Sequence, residues 1–156
     1  MGPNFRKPVI FYACMADQGP NRRGVVGVIH RHGELLVIQR SLTVAAPGKF
    51  CFPGGGVEGE ESEAEALIRE LMEELSVAAQ PVRRLWRSVT GWGVELAWWE
   101  AMLPADAQIL PNPAEVASFG WYTPSAMSGL PDLLSSNRDF LHELRSGTFA
   151  LSKLVE

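Results

Sequence analysis

Cysteine, long apolar runs and net charge are all scarce in this sequence, and each shortage removes a class of protein. Only two cysteines occur, Cys14 and Cys51. A secreted disulfide scaffold carries more, so both read as free thiols in a reducing compartment, and a cytoplasmic location is expected. The longest unbroken apolar run, Val9–Ala16, is eight residues, against the roughly 20 that a membrane-spanning helix needs. It follows Arg6 and Lys7 in the manner of a secretory leader. The run is at the short end for a signal core, and Cys14 and Ala16 fit a cleavage site only loosely, so a buried strand is the expected reading. Arg6 stands where a myristoylation signal wants Ser or Thr. The net charge is −4, from 14 basic and 18 acidic residues among 156. Such weak acidity argues against binding nucleic acid or an anionic membrane through bulk charge. Repeats and low-complexity tracts are absent. The 15 glycines and 11 prolines are scattered as turn punctuation, so one domain over 1–156 is expected.

What is present is core-forming. At 46% hydrophobic and 21% charged residues, the chain buries a substantial interior, which excludes disorder as its main description. Val25–His30 and Leu35–Arg40 read as a hairpin around Arg31-His32-Gly33-Glu34. Phe50-Cys51-Phe52 is a short strand stopped by Pro53-Gly54-Gly55-Gly56, and Glu61–Leu75 is a helix that Pro81 prevents from continuing. Leu85–Thr90, Val94–Met102 and Ser118–Tyr122 are further strands. Thr123-Pro124 opens a short helix, and Ser136–Arg145 forms another, capped by Ser135 or Ser136 and closed by Gly147. Strands outnumber helices without regular alternation, so a mixed sheet covered by helices fits better than a doubly wound parallel sheet.

The helix over 61–75 has two faces. Ala64, Leu67, Ile68, Leu71, Met72 and Leu75 fill one arc, the expected core face. Glu63, Glu70, Glu73 and Glu74 crowd another, with Arg69 beside them. Glu70, Glu73 and Glu74 are spaced i, i+3, i+4, so their like charges repel by a few tenths of a kcal/mol per pair, on the order seen in isolated helices. Alone, this arc reads either as a solvated acidic surface or as a site for a hard cation. Oxygen ligands suit Mg²⁺ or Mn²⁺, and His30, His32 and His142 show no ligand spacing that would suggest zinc. The glycine triplet ahead of the helix permits close approach of backbone to a ligand, which strengthens the cation reading.

The stretch Gly55-x5-Glu61-x7-Arg69-Glu70-Leu71-x-Glu73-Glu74-x-Ser76-Val77 resembles the Nudix box, G-x5-E-x7-R-E-U-x-E-E-x-G-U with U a bulky aliphatic. Eight of its nine defined positions match, and the departure is Ser76 in place of the last glycine. The order of elements is also similar to the Nudix fold, an α+β arrangement with a mixed β-sheet sandwiched between α-helices. The resemblance implies hydrolysis of a diphosphate linkage in a nucleoside diphosphate-X compound with Mg²⁺ or Mn²⁺. It implies that Glu70, Glu73, Glu74 and the carbonyl of Gly55 are metal ligands, that Arg69 orients Glu70, and that Glu61 anchors the box loop. The general base is then Glu70, or else Glu115, which precedes the strand ending Trp121-Tyr122 and is similar to the outlying glutamate of many members. Arg40 ends the hairpin where members often contact phosphate, with Arg22 and Arg23 as further candidates.

Five tryptophans fall on the expected strands and turns, and a base can stack on one of them. Alternation puts Trp98 and Trp99 on opposite faces, so at most one faces a given pocket; Trp98 is taken as the substrate-binding candidate. Cys51 reads as a small buried residue. The substrate is expected to be a small nucleotide, a nucleoside triphosphate before others. Gly91 stands where members acting on ADP-ribose often carry proline, and Trp92, Gly93 and Val94 stand where those acting on dinucleoside polyphosphates often carry tyrosine. The coenzyme A pattern is one residue short and lacks its second arginine. A non-catalytic nucleotide-binding module, a hydrolase of the ADP-ribose or coenzyme A type, and an isoprenoid diphosphate isomerase are the competing readings. The box keeps all its glutamates, which argues against the module and the isomerase. The sequence leaves a homodimer open.

Overall fold

The computed structural model describes residues 22–153. The Val9–Ala16 run and Cys14 lie outside the described residues. Among these residues seven strands form one sheet: β1 (Arg23–Arg31), β2 (Glu34–Arg40), β3 (Phe50–Cys51), β4 (Gly54–Gly56), β5 (Gln80–Val89), β6 (Glu95–Met102) and β7 (Val116–Tyr122). Among the described residues three helices accompany them: α1 (Glu63–Leu75), α2 (Pro124–Ser128) and α3 (Ser135–Ser146). The main path runs β3-β2-β1-β6-β5, with β4 paired to β1 and β7 to β2. β1 and β6 are parallel, and the other pairs are antiparallel. The sheet is mixed, as expected.

Period-two alternation explains the layers. Val25 and Ile29 of β1 join Leu36 and Ile38 of β2 under Leu67, Leu71 and Leu75 of α1. The alternate residues Val26, Val28, Leu35, Val37 and Trp98 pack on the other face against Met127 of α2 and Phe140 and Leu141 of α3. The sheet is therefore buried on both faces, which is why β1 and β2 are nearly continuous runs of apolar residues. The β1–β2 hairpin closes on His32 and Gly33, at φ 49° and 77°, the two left-handed positions of a tight hairpin turn. Among the described residues, no helix is long and apolar enough to cross a membrane.

Several boundaries differ from expectation. The glycine triplet is not a loop but strand β4, pairing Val25 with Gly55 and Val26 with Gly54. Gly54 has φ 154°, and a Cβ there would lie 2.2 Å from the Val25 carbonyl oxygen. Only glycine lets this strand lie so close to β1. Pro81 sits inside β5, which starts at Gln80. β5 is an edge strand, where a missing N–H is tolerated, and its register shifts beside that proline. α1 starts at Glu63 behind a capping box in which Ser62 Oγ accepts from the Glu65 N–H and the Glu65 carboxylate accepts from the Ser62 N–H. The N-cap of α3 is Leu134, with no side-chain cap, rather than a serine; Gly147 closes it in the left-handed conformation as expected.

Candidate active site

The buried arc of α1 is rotated from the expected one. Ile68 and Met72 are 44% and 49% exposed, whereas Ala66, Glu70 and Glu74 are buried beside Leu67, Leu71 and Leu75. The acidic arc is thus split. Glu70 and Glu74 face inward, and Glu73 is half-buried. Glu63 is turned away, accepting from Trp99 Nε1 at 2.9 Å and from Arg87 at 2.7 Å.

Arg69 organises the loop ahead of the helix. Its Nε and Nη2 donate to the two carboxylate oxygens of Glu61 at 2.8 and 2.9 Å, a bidentate pair. Nη2 also donates to the Gly56 carbonyl at 2.9 Å, and Nη1 to Glu70 Oε1 at 2.7 Å. One guanidinium therefore fixes the strand end, the loop carboxylate and Glu70 together. The bond from Arg69 holds the Glu61 carboxyl below the usual carboxylate range. Glu61 in turn raises the guanidinium, which stays charged.

Glu70 behaves in the opposite way. Burial pushes its carboxyl up to about 9, against the pull of Arg69, and Glu73 and Glu115 push it further in the same direction. Glu74 also rises, first through burial and then through Glu70, with Glu115 adding to it and Arg40 opposing. Glu74 Oε1 accepts the Gly54 N–H at 2.9 Å, tying the helix to β4. The segment that supplies Glu115 is tied to the same helix end, because the Asn112 N–H donates to the Glu74 carbonyl at 2.8 Å. The structure therefore brings Glu70, Glu74 and Glu115 within electrostatic reach, with Glu73 beside Glu70. Gly55 lies between Gly54 and Gly56 in β4, opposite Val25.

Whether these residues fit a cation is decided by two observations. Glu70 Oε2 is buried with no hydrogen-bond partner. The donors are oxygens alone, which suits Mg²⁺ or Mn²⁺. Among the described residues no three acidic, imidazole or thiol groups already stand in ligating geometry. Glu70 Oε1 and Glu74 Oε1 are taken by Arg69 and Gly54, which leaves Glu70 Oε2 as a buried oxygen open to an ion. The residues fit a hard divalent ion by donor chemistry and by that unmatched oxygen.

Arg40 is not a surface arginine. It is 1% exposed, its Nε donates to the Ala45 carbonyl at 2.6 Å, and neither Nη1 nor Nη2 has a hydrogen-bond partner. Its charge acts on Glu74. Arg22 is half-buried and Arg23 exposed at the start of β1. Trp98 corrects the expectation of a stacking platform. It is fully buried, stacked on Phe140 with ring centroids 4.8 Å apart, and its Nε1 donates to Ser88 Oγ at 2.9 Å. An apolar β6 face covered by α3 leaves it no open side. Sequence reasoning missed Asn137, which is buried on α3 and accepts the Phe52 N–H at 2.8 Å just ahead of the glycine strand. One asparagine among the many polar residues of this helix gave no signal for this.

A mixed sheet between helices, with buried glutamates on one helix beside a glycine strand and an arginine tying strand, loop and helix together, defines the class. The sequence matches the NUDIX domain over residues 20–144, and the chain belongs to the Nudix family. It is similar to the CTP pyrophosphohydrolase of Escherichia coli K12, 38% identical over 78 residues that make up 48% of this chain and 58% of that protein. It is also 40% identical to the 8-oxo-dGTP diphosphatase of Proteus vulgaris over 52 residues, 33% of this chain and 46% of that one. The chain thus spans about half the length of these curated relatives. The crystal structure of the MutT protein from Methanosarcina mazei Go1 shares the fold, with a TM-score of 0.71 and 24% identity over 85% of this chain and 98% of that one.

Proposed function

We propose that the protein is a pyrophosphohydrolase that cleaves a diphosphate linkage in nucleoside diphosphate-X compounds, and that it prefers a nucleoside triphosphate, giving a monophosphate and pyrophosphate. One observation carries this reading: Arg69 fixes one oxygen of the buried Glu70 at 2.7 Å while the other has no partner. Glu70, Glu73, Glu74 and the Gly55 carbonyl would hold Mg²⁺ or Mn²⁺. Bound there, such an ion offsets diphosphate charge and acidifies the attacking water. Arg69 keeps Glu70 in one orientation through a bond of the charge-assisted type. Glu70 then takes the proton of the attacking water, with Glu115 as the other candidate for that role. A base must be unprotonated. A carboxyl pushed up to about 9 works as one only when positive charge beside it brings its pKa down. Arg40 adds a buried positive charge next to Glu74 and holds two unmatched N–H-bearing nitrogens that suit a phosphate oxygen.

The substrate preference is supported by the names of the two curated relatives, both of which describe action on triphosphates. It is supported too by the missing ADP-ribose and dinucleoside polyphosphate residues at 91–94. Timed reactions with CTP, dGTP, 8-oxo-dGTP, ADP-ribose, a dinucleoside polyphosphate and coenzyme A, with and without Mg²⁺, separated by chromatography, test it. A triphosphate is expected to give monophosphate and pyrophosphate only with the metal. A kcat/KM for ADP-ribose or coenzyme A tenfold above every triphosphate, about 1.4 kcal/mol of transition-state preference, overturns the substrate choice. No product from any compound with Mg²⁺ or Mn²⁺ overturns the hydrolase and leaves a nucleotide-binding module.

A further inference from the structure

A second cavity lies away from the glutamates. It has a volume of about 270 Å³ and sits between the tip of the β1–β2 hairpin and the segment that follows β6. None of the residues assigned above to the box, and neither Arg40 nor Glu115, lines it. Its walls are of two kinds. Ile29, Met102, Leu103 and Ile109 give an apolar side. The hairpin gives a basic side, in which Arg31 is flanked by two imidazoles, those of His30 and His32. No aspartate or glutamate is among the lining residues.

Arg31 is held in place by stacking. Its guanidinium carbon lies 3.8 Å from the centre of the Trp121 ring, which also lines the cavity. Among the described residues Arg31 forms no ion pair. A guanidinium stacked on an indole keeps its planar edge of N–H donors available for an in-plane acceptor. The buried carboxylate nearest in the chain's pairing, Glu100, is matched elsewhere. It receives His30 Nε2 at 2.9 Å, Arg83 at 3.2 Å, and the Ser152 N–H and hydroxyl at 2.7 and 2.6 Å. Donation to Glu100 also fixes the His30 ring at the cavity wall.

We propose that this cavity binds a small organic anion, a carboxylate or phosphate carried on a compact apolar body, with the charge on Arg31 and the body against Ile29, Met102 and Ile109. The volume is just below the range of pockets that hold drug-sized ligands, roughly 300–1,000 Å³, so the ligand is small. This site is independent of the hydrolase reading and needs neither metal nor nucleotide.

Phenyl phosphate, benzoate, inorganic phosphate and the neutral benzyl alcohol are the probes. Binding is measured by calorimetry on the whole chain without metal, and its place by the Trp121 indole N–H and Ile29 methyl resonances. Phenyl phosphate or benzoate is expected to bind saturably and move both signals; the better of the two tells a phosphate from a carboxylate site. Inorganic phosphate and benzyl alcohol are expected to bind at least tenfold more weakly. Arg31→Gln should weaken the aryl anion at least tenfold, about 1.4 kcal/mol. Ala105→Trp, which fills the cavity from its exposed rim and leaves the Arg31 side chain in place, should abolish it. Benzyl alcohol binding as tightly as the anions, unchanged affinity in both variants, or shifts at Gly54 and Gly55 in place of Trp121 would each overturn the site. Equal melting temperatures of the variants and the parent show that lost binding is not lost folding.

Discussion

Glu70 carries a contradiction that its surroundings resolve. The carboxyl proposed as the base at neutral pH is buried until it holds its proton up to about 9. A cation beside it would end the contradiction, as the proposed metal site requires. Two outcomes follow. Glu70→Gln should lower kcat about 10²–10⁴-fold if Glu70 is the base, the usual range for losing one. Glu115→Gln made in parallel separates the two candidates, and near-wild-type turnover of Glu70→Gln at saturating Mg²⁺ would remove Glu70 from the role. The second outcome concerns stability without metal. The folded pKa is raised above that of the unfolded chain, so the folded state binds the extra proton. The contribution is fully present below the unfolded value near 4.5 and is lost as pH rises through about 9. Metal-free protein should therefore lose stability from pH 5 to 9, and Glu70→Gln, which cannot ionise, should flatten that decline. Urea melts across this range check it; an equally steep decline in the variant means Glu70 is not the proton-binding group.

At the scale of elements, the end of α1 and the start of β4 are the two places where a single backbone conformation decides. Ser76 closes α1 in the left-handed region, φ 57° and ψ 36°, where the Nudix pattern has glycine. A non-glycine residue there costs about 1–2 kcal/mol. Ser76→Gly should raise the urea midpoint, and a lower midpoint would mean that the serine is not strained. Gly54→Ala is the reverse case: the 2.2 Å approach to the Val25 carbonyl leaves no room for a methyl group, so β4 must shift and the Gly54–Glu74 bond with it. A large drop in midpoint is expected, and a loss below about 0.5 kcal/mol, the scale of an ordinary surface change, would contradict the close packing.

These elements also show what the sequence made legible. The hairpin, the helices after Thr123 and before Gly147, and the box helix all follow from local signals: turn glycines, caps and periodicity. Strand β4 does not, because three glycines have no side chains to alternate, and their strand exists only through β1. The inward turn of Glu70 and Glu74 was also hidden. Charge placed them outside on the wheel, and what holds them inside is, besides the neighbouring Arg69, strand residue Gly54 and the Glu115 segment, contacts made at a distance in the chain. Trp98 was legible as a strand residue, but its depth depends on α3, which arrives from the other end of the sequence.

For the whole molecule, the test is whether the cluster behaves as one metal centre. Burial raises both Glu70 and Glu74, Glu115 adds to both, Glu73 adds to Glu70 and Glu70 to Glu74, so the empty protein stores like-charge repulsion as bound protons. Binding a cation there must release those protons, which makes affinity rise with pH. Anything that binds only the folded state stabilises it by RT ln(1 + [L]/Kd), about 2.7 kcal/mol at a hundredfold excess over Kd. Mg²⁺ should therefore raise the melting temperature, more at pH 8.5 than at pH 6. Glu73→Gln and Glu74→Gln should each shrink the shift, and Glu74→Gln should also weaken its pH dependence because one competing proton is gone. Ca²⁺ and Zn²⁺ run beside Mg²⁺ and Mn²⁺ show whether the response follows hard oxygen chemistry or adventitious binding to the imidazoles at His30, His32 and His142. A melting response that ignores pH, or that survives intact in both variants, would place the ion somewhere other than among these glutamates, because no ion can sit against Glu70 and Glu74 without displacing the protons that burial holds there.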